Sequence, residues 1–265
     1  MNKTPFYEQV RDRLLRYARV DTQSARTSDT VPTTKKQFDL AFMLRDELIA
    51  IGASDVWLDE ERCVLYASIP ATVPGAMAFG LVTHMDTAPD APGAGCRPWV
   101  LTDYDGGDIL LNGEKGIVMS PREFPNLLNY IGQDLILTDG TTLLGGDDKA
   151  AVAAVMTMAE HLLKHPEIPH GRIALGFTPD EEVGGLAKDL DLDRFGTKVA
   201  YTLDGDYLGY YEDETFNASH ATLTLRGRSV HTGTAKGILI NAGDMAAEFV
   251  SLLPPLEKPQ FTEGY

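Results

Sequence analysis

Hydrophobic positions in the first fifty residues recur with the spacing of amphipathic helices. In the first predicted helix, one face carries Phe6, Val10, Leu14 and Tyr17. A second helix is predicted after Thr33, with an apolar face made of Phe38, Ala41, Leu44, Leu48 and Ile51. Gly52 follows this face and is expected to end the helix in a left-handed conformation.

Short apolar runs typical of strands come next, at residues 56–58, 64–69, 78–82, 173–177 and 199–203. An alanine-rich segment from about residue 147 to residue 164 predicts a long helix between the third and fourth of these strands. Strands that alternate with helices indicate an α/β fold built around a sheet.

Turn and loop signals mark three further regions. Residues 87–112 are rich in Gly, Pro and Asp and are predicted to form an irregular loop. Segments 135–138 and 141–144 flank Asp139-Gly140, which is a strong signal for a two-residue hairpin. Near the end, the pattern predicts the start of a second unit, with antiparallel strands at 208–211 and 221–226 and a helix at 241–252.

The composition is that of an ordinary globular protein. Of the 265 residues, 43% are hydrophobic and 23% are charged, which excludes a disordered or collagen-like chain. A net charge of −16 would repel a phosphate backbone, so we expect no nucleic-acid partner. No apolar run approaches the ~20 residues of a membrane span, and the first residues lack the apolar core of a signal peptide. We therefore expect a cytoplasmic protein without a membrane partner.

Four polar clusters follow apolar runs at places where a strand ends or a helix begins. They are His84-Met85-Asp86, Gly145-Gly146-Asp147-Asp148, Asp180-Glu181-Glu182 and Asp204-Gly205-Asp206. Ligands of open α/β sheets bind at the carboxyl ends of the strands. Four clusters at equivalent positions therefore indicate one shared site.

Each cluster also has an interpretation without a ligand. The tripeptide at His84 is compatible with a turn and a surface histidine, and Asp147 is compatible with a helix cap. Glu181 and Glu182 are compatible with a solvated pair, and Asp204 with a simple turn. The two glycines before Asp147 are not explained in this way, since they allow close approach of the backbone to another group.

As a set, an imidazole and several carboxylates suit a dinuclear zinc site in which one carboxylate bridges two ions. The carboxylates are too many for one zinc ion, which needs only about three protein ligands. The metals would polarise a carbonyl and lower the pKa of a shared water, and a glutamate would move a proton to the leaving amine. The predicted chemistry is metal-assisted hydrolysis of an amide bond.

At these residues the sequence resembles the peptidase T family of tripeptide aminopeptidases. That family is part of the zinc metallopeptidase clan that includes succinyl-diaminopimelate desuccinylase and glutamate carboxypeptidase. The resemblance covers essentially the whole chain and is carried by the segment from Tyr17 to Ser24, Thr83-His84-x-Asp86-Thr87, Asp139-Gly140-x-Thr142-Leu143-Leu144-Gly145, Asp147-Asp148-Lys149-Ala150, Phe177-Thr178-Pro179-Asp180-Glu181-Glu182-Val183-Gly184, Tyr201-Thr202-x-Asp204-Gly205, His231-x-Gly233-Thr234-Ala235-Lys236-Gly237 and Thr262-Glu263-Gly264-Tyr265. It implies an α/β catalytic domain with a mixed sheet and flanking helices, and the beginning of a smaller α+β lid domain.

The resemblance implies a set of metal ligands. His84 and Asp204 would bind the first zinc ion, Asp147 would bridge both ions, and Glu182 would bind the second ion. The family's remaining zinc ligand is a histidine in a C-terminal segment, to which nothing in this sequence corresponds. The first ion is therefore expected to have three protein ligands and the second ion only two.

The resemblance also implies roles around the metals. Asp86 would hold His84 in place, and Glu181 would act as general base and general acid. A cis peptide bond is implied between Asp147 and Asp148. In the lid domain, a histidine at His231 would stabilise the oxyanion and Asn241 would contact the substrate.

Because the last ligand has no counterpart, we expect the chain to be the N-terminal part of a longer protein. Residues 1–214 are assigned to an incomplete catalytic zinc-peptidase domain and residues 215–265 to the incomplete start of the lid domain. Alone, the chain is expected to bind the second zinc ion weakly and to have little or no activity. Thr232 stands where the family has proline and is expected to alter only the stiffness of the loop.

The function implied by the resemblance is the release of the N-terminal residue from tripeptides and other short peptides. The same metal chemistry serves a carboxypeptidase or an N-acyl-amino-acid deacylase, since specificity lies in the groups that hold the substrate termini. A non-catalytic remnant that binds metal or a partner protein is a further alternative. A glycoside hydrolase that uses Glu181 and Asp204 is another, but it leaves His84 and Asp86 without a role.

Overall fold

A computed structural model describes residues 4–185, 190–205, 209–213, 221–258 and 261 of the chain. It forms two compact units, Met1–Leu208 and Gly209–Tyr265, and each is described by itself. The helices of the first unit are α1 (Tyr7–Tyr17), α2 (Gln37–Ile51), α3 (Gly146–Lys164) and α4 (Leu192–Phe195). Its strands are β1 (Ser54–Asp59), β2 (Val64–Ile69), β3 (Phe79–His84), β4 (Trp99–Leu101), β5 (Ile109–Asn112), β6 (Ile117–Met119), β7 (Leu135–Leu137), β8 (Ile173–Thr178) and β9 (Ala200–Thr202).

The central sheet of the described residues has five strands in the order β1-β2-β8-β3-β9. β2 pairs antiparallel with β1 and with β8, whereas β3 pairs parallel with β8 and with β9. The predicted α/β fold with a mixed sheet and flanking helices is confirmed. Gly52 ends α2 in the predicted left-handed conformation, at φ 86°.

The two faces of the central sheet are covered by different helices. Alternate side chains such as Leu65 and Leu175 join the main core with α1, α2 and α3. The neighbouring positions face the other way and pack with Phe195 of α4. Gly80 leaves room for that ring, since a Cβ atom at this position would lie 2.3 Å from it. The helical layer on the first face places the start of α3 next to the end of β3.

A small lobe formed by β4 to β7 corrects two predictions. Residues 87–112, predicted to be an irregular loop, contain β4 and β5. The hairpin predicted across Asp139-Gly140 is also wrong, because β7 pairs with β4 and not with residues 141–144. The turn itself forms, with Gly140 at φ 75° and the Asp139 carboxylate accepting a hydrogen bond from Thr141 N–H.

The physical reason is that β4 is the better partner for β7. Their pairing lets Leu137 pack with Tyr104 and Ile109 in a small apolar cluster. Trp99 lies against the same cluster, and its indole N–H donates a hydrogen bond to the carbonyl of Thr138. A distant strand with buried side chains is therefore preferred to the adjacent segment.

In the second unit the predicted helix forms as α5 (Ala242–Leu252). Short 3-10 helices lie at Thr232–Thr234 and Pro255–Glu257, and an isolated bridge joins Arg228 and Ile240. Residues 209–211 and 221–226 form no strand, so this part of the prediction is wrong, while residue 208 lies outside the described residues. An apolar alternation gives a strand only where a partner accepts its hydrogen bonds. No helix in the described part of the chain is long and apolar enough to cross a membrane.

Arg13 connects α1, α2 and α3, the three helices that cover one face of the central sheet. From α1 its guanidinium donates to Glu47 of α2 at 2.7 Å, and to Thr157 of α3 at 2.9 Å. It also forms an ion pair with Glu160 of α3. The Arg13 side chain is 9% exposed, so its removal takes away the more buried of the two cations at each carboxylate and leaves Glu47 with Arg16 and Glu160 with Lys164.

We predict that Arg13→Ala lowers the free energy of unfolding by about 2–3 kcal/mol, because it removes charged hydrogen bonds that join three helices and leaves the buried hydroxyl of Thr157 without this donor. Urea denaturation followed by circular dichroism measures the change. Arg26→Ala is the control, since the Arg26–Asp90 pair is more than half exposed on both sides and such pairs contribute about 0–1 kcal/mol. Equal losses in the two variants would contradict the role of Arg13.

Candidate metal centre

The parallel strands bring three of the predicted clusters to one edge of the sheet. His84 is the last residue of β3, Glu181 and Glu182 follow the end of β8, and Asp204 follows the end of β9. In the register of β3 and β8, His84 lies beside Thr178. The carboxyl ends of parallel strands form one crevice, and Asp147 enters it from the start of α3.

His84 lies at the centre of this group. Its Nε2 atom is 2.9 Å from Asp147 Oδ1, 3.7 Å from Asp204 Oδ2 and 3.9 Å from Glu181 Oε2. Ligand atoms of His84, Asp147 and Asp204 all lie within 4.8 Å of one another, and no other group of three such residues does so in the described part of the chain. The structure thus brings together the three residues expected to bind the first ion.

The start of α3 turns Asp147 towards His84. Gly145 precedes the helix at φ 71°, and the peptide bond between Asp147 and Asp148 is cis, as the resemblance implies. Asp147 has φ −80° and ψ 110°, which are not helical angles, so its side chain leaves the direction of the helix. Asp147 is exposed, whereas Asp148 is buried and accepts a hydrogen bond from the backbone N–H of His84 at 3.1 Å.

Asp86 is fully buried behind the cluster. One of its carboxylate oxygens lies 3.3 Å from His84 Nδ1, the ring nitrogen opposite Asp147. The same carboxylate accepts the backbone N–H of Glu181 at 2.9 Å and of Glu182 at 3.2 Å. Asp86 therefore orients the imidazole and fixes the turn that carries both glutamates.

Glu182 is half-buried on this turn, but it does not join the three-residue group. Burial and the charge of Asp147 raise the pKa of its carboxyl above the ordinary value. Glu182 therefore lies within electrostatic range of the aspartate that was expected to bridge two ions. Asp147 and Glu182 are the two described residues that were assigned to a second ion.

The electrostatics of the cluster favour a cation. Burial disfavours the charged form of His84. The hydrogen bond and the charge of Asp86 outweigh burial and raise the pKa of His84 to about 10. Burial and the charge of Asp147 raise the pKa of Asp204. Burial also raises the pKa of Glu181, against the opposite effect of His84. These raised pKa values show that the carboxylates lie close enough to repel one another, and a bound cation would reduce this repulsion.

The donor set fits zinc. One imidazole nitrogen and carboxylate oxygens are ligands that zinc accepts, and three protein ligands with one open position are typical of catalytic sites. Asp86 against the second ring nitrogen is the usual arrangement behind a metal-binding histidine. A cleft of about 280 Å³ opens beside the cluster and is lined by Gly146, Asp147, Asp148, Ala150, Ala151, Leu203, Asp204 and Gly205.

The two expected substrate contacts belong to the second unit. His231 Nδ1 accepts a hydrogen bond from Gly233 N–H at 3.1 Å, and Asn241 Oδ1 accepts one from Gly243 N–H at 2.9 Å. Both side chains therefore cap the start of a helix, Thr232–Thr234 and α5 respectively. Asp206 and residues 262–265, which belong to the quoted motifs, lie outside the described residues.

Two functional neighbours were not predicted. Asp148 accepts the backbone N–H of His84, and Asp180 accepts hydrogen bonds from Thr33 and from Gln37, the first residue of α2. Both aspartates stand next to predicted site residues, so adjacency was the only signal in the sequence. Their burial, which separates them from the exposed Asp147, becomes visible only in the structure.

Comparison with known proteins identifies relatives along almost the whole chain. No family model matches it. Peptidase T of Geobacillus kaustophilus is 49% identical over 259 residues, and peptidase T of Clostridium botulinum strain Langeland is 51% identical over 259 residues. Each match covers 97% of this chain and 63% of the relative. The chain thus spans less than two thirds of the length of these relatives.

Solved structures share the fold. The aminopeptidase PepT from Bacillus cereus has a TM-score of 0.56 at 23% identity, over 93% of this chain and 57% of that chain. A tripeptidase from Staphylococcus aureus has a TM-score of 0.57 at 21% identity, over 97% and 58%. Human carnosine dipeptidase 1 has a TM-score of 0.53 at 17% identity, over 94% and 50%. Half of the positions thus match the curated relatives along 97% of this chain, so the chain resembles peptidase T over almost its whole length.

Proposed function

We propose that this chain carries the metal centre of an aminopeptidase that releases the N-terminal residue of tripeptides. The observation that carries the proposal is the convergence of His84, Asp147 and Asp204, with Glu181 beside them. The similarity to peptidase T supports a peptidase. A glycoside hydrolase has no use for the imidazole at the centre of the cluster.

In this proposal the site holds two Zn²⁺ ions. His84 and Asp204 would bind the first ion, Asp147 would bridge both, and Glu182 would bind the second. Bound zinc would polarise the scissile carbonyl and lower the pKa of the attacking water. Because the second ion has only two protein ligands among the described residues, we expect it to bind more weakly than the first.

Glu181 is the proposed proton carrier. Its carboxylate lies 3.9 Å from His84 Nε2, and its side chain is 36% exposed. A pKa raised by burial makes it a stronger base than an ordinary glutamate. Glu181 takes a proton from the attacking water and gives one to the nitrogen of the departing dipeptide, while the C–N bond breaks and the new C–O bond forms.

Other residues act around this step. Asp86 keeps the imidazole oriented and the two glutamates in place through its three contacts. We assign His231 to stabilisation of the oxyanion and Asn241 to substrate binding, both from the second unit. The capping hydrogen bonds use Nδ1 of His231 and Oδ1 of Asn241 as acceptors, so Nε2 of His231 and Nδ2 of Asn241 are the donors that would contact the substrate.

Two alternatives share this metal site. A carboxypeptidase or N-acyl-amino-acid deacylase uses the same chemistry with different groups for the substrate termini. A non-catalytic metal-binding protein is favoured by one observation, the presence of only Asp147 and Glu182 for a second ion in the described residues. The predictions below separate these alternatives.

We predict that the zinc-loaded chain slowly releases the N-terminal residue from free tripeptides and that a chelator stops the reaction. Mass spectrometry of the products is the measurement. N-acetylated tripeptides are the matched substrates. Their preferential cleavage would indicate a deacylase, release of the C-terminal residue a carboxypeptidase, and zinc binding without hydrolysis a non-catalytic protein.

We predict that Asp147→Ala loses both ions, because this carboxylate is assigned to both. Metal content after dialysis against buffered zinc, read by mass spectrometry, gives the stoichiometry. Glu182→Ala is the matched variant and should retain the first ion, since His84, Asp147 and Asp204 remain. Retention of two ions by Asp147→Ala would contradict the bridge.

We predict that Glu181→Gln in a full-length form keeps its zinc and lowers kcat by about 10²–10⁴-fold, the usual contribution of a general acid and base. Glutamine keeps the size of the side chain and cannot carry the proton. The comparison requires equal metal content in the variant and the parent. A turnover near that of the parent would exclude Glu181 as the proton carrier.

A further inference from the structure

Asp180 is a buried acid that the proposed reaction does not use. It directly precedes Glu181, and its exposed fraction is 2%. Its carboxylate accepts hydrogen bonds from the N–H of Thr33 at 2.7 Å, the hydroxyl of Thr33 at 2.5 Å and the side-chain amide of Gln37 at 2.6 Å. Both partners are about 145 positions earlier in the chain, so these bonds join distant segments.

The contact with Gln37 has two parts. The Gln37 side-chain oxygen accepts the backbone N–H of Asp180 at 3.2 Å, while its amide group donates to the Asp180 carboxylate. Gln37 is fully buried and is the first residue of α2. The position of Asp180 is thereby fixed, at both its backbone and its side chain, to the start of that helix.

The turn after Asp180 is tight and carries the two glutamates. Asp180 has φ 59°, and its carbonyl accepts the N–H of Val183 at 3.3 Å and of Gly185 at 2.7 Å. A Cβ atom at Gly185 would lie 2.7 Å from that of Asp180, so only glycine permits this closeness. From the opposite side, Asp86 accepts the backbone N–H groups of Glu181 and Glu182.

The turn is therefore held by two buried carboxylates. Asp86 fixes it to the end of β3, and Asp180 fixes it to the segment before α2. In the described residues, the side chain of Glu181 makes no hydrogen bond to Asp86 or to Asp180. The position of its carboxylate therefore depends on the backbone of the turn. A displacement of about 1 Å in a reacting group can cost about 10²-fold in rate.

We propose that Asp180 is a positioning residue that holds Glu181 and Glu182 at the metal cluster by anchoring their turn to Thr33 and Gln37. Its effect on turnover rests on the proposed function. Its effect on the order of the turn does not, and the experiment measures both.

The test variant is Asp180→Asn. Asparagine tolerates the left-handed conformation of this position, so the backbone is preserved while an acceptor is replaced by an amide donor that faces the Gln37 amide. The double variant Asp180→Asn with Gln37→Glu restores a donor–acceptor pair with reversed polarity. Asp39→Asn is the control for the loss of one negative charge, since Asp39 is an exposed residue of α2.

Hydrogen exchange measured by NMR reports on the turn without any need for activity. In Asp180→Asn we expect the N–H groups from Glu181 to Gly185 to exchange about tenfold faster, while those of β8 are unchanged. In zinc titrations, binding at His84, Asp147 and Asp204 stays within about threefold, since Asp180 contacts none of them. The double variant should restore slow exchange, and Asp39→Asn should behave as the parent.

Tripeptide kinetics provide the second measurement. Asp180→Asn is expected to lower kcat by about 10- to 100-fold with little change in KM, and the double variant should recover most of the loss. Unchanged exchange in Asp180→Asn overturns the proposal, and so does equal acceleration in β8 without rescue, which would indicate a general loss of stability. If the parent chain cleaves no peptide, the proposed function fails while hydrogen exchange still decides the role of Asp180.

Discussion

The structure of the site depends on the electrostatic interaction of one imidazole with several carboxylates at the ends of parallel strands. β3, β8 and β9 run in the same direction, so acidic side chains from distant parts of the chain lie near His84 at their carboxyl ends. Carboxylates at this range repel one another and need a positive charge between them. Either the protonated imidazole or a bound metal ion supplies it, which is why the fold and the metal chemistry are coupled.

Burial divides the acids of the site into two kinds. Asp86 and Asp180 are buried and accept hydrogen bonds from backbone and side-chain donors, whereas Asp147 and Asp204 are exposed and line the cleft. A buried carboxylate with satisfied acceptors is a fixed structural element. An exposed carboxylate can instead bind a ligand. The same residue type therefore serves both to hold the site and to bind in it.

The sequence predicted the features that depend on local pattern. The central strands, the long α3 and the convergence of His84 with Asp147 and Asp204 follow from apolar runs that end in polar clusters. The hairpin at Asp139-Gly140 failed because a turn signal does not choose between an adjacent segment and β4 as the partner. Asp180 could not be distinguished from the neighbouring Glu181, since its contacts lie about 145 positions earlier. Long-range pairing and burial are the properties that a single sequence does not reveal.

The charge of the cleft bears on which end of a peptide it would accept. Asp86, Asp147, Glu181, Glu182 and Asp204 surround His84, while burial raises the pKa of Asp148 to about 8. A group of carboxylates attracts a free ammonium group and opposes a free carboxylate near it. In an aminopeptidase the ammonium group lies next to the scissile bond, while in a carboxypeptidase the carboxylate does. Under the proposed function, the acidic side chains of the cleft would therefore hold the ammonium end of a peptide more readily than its carboxylate end.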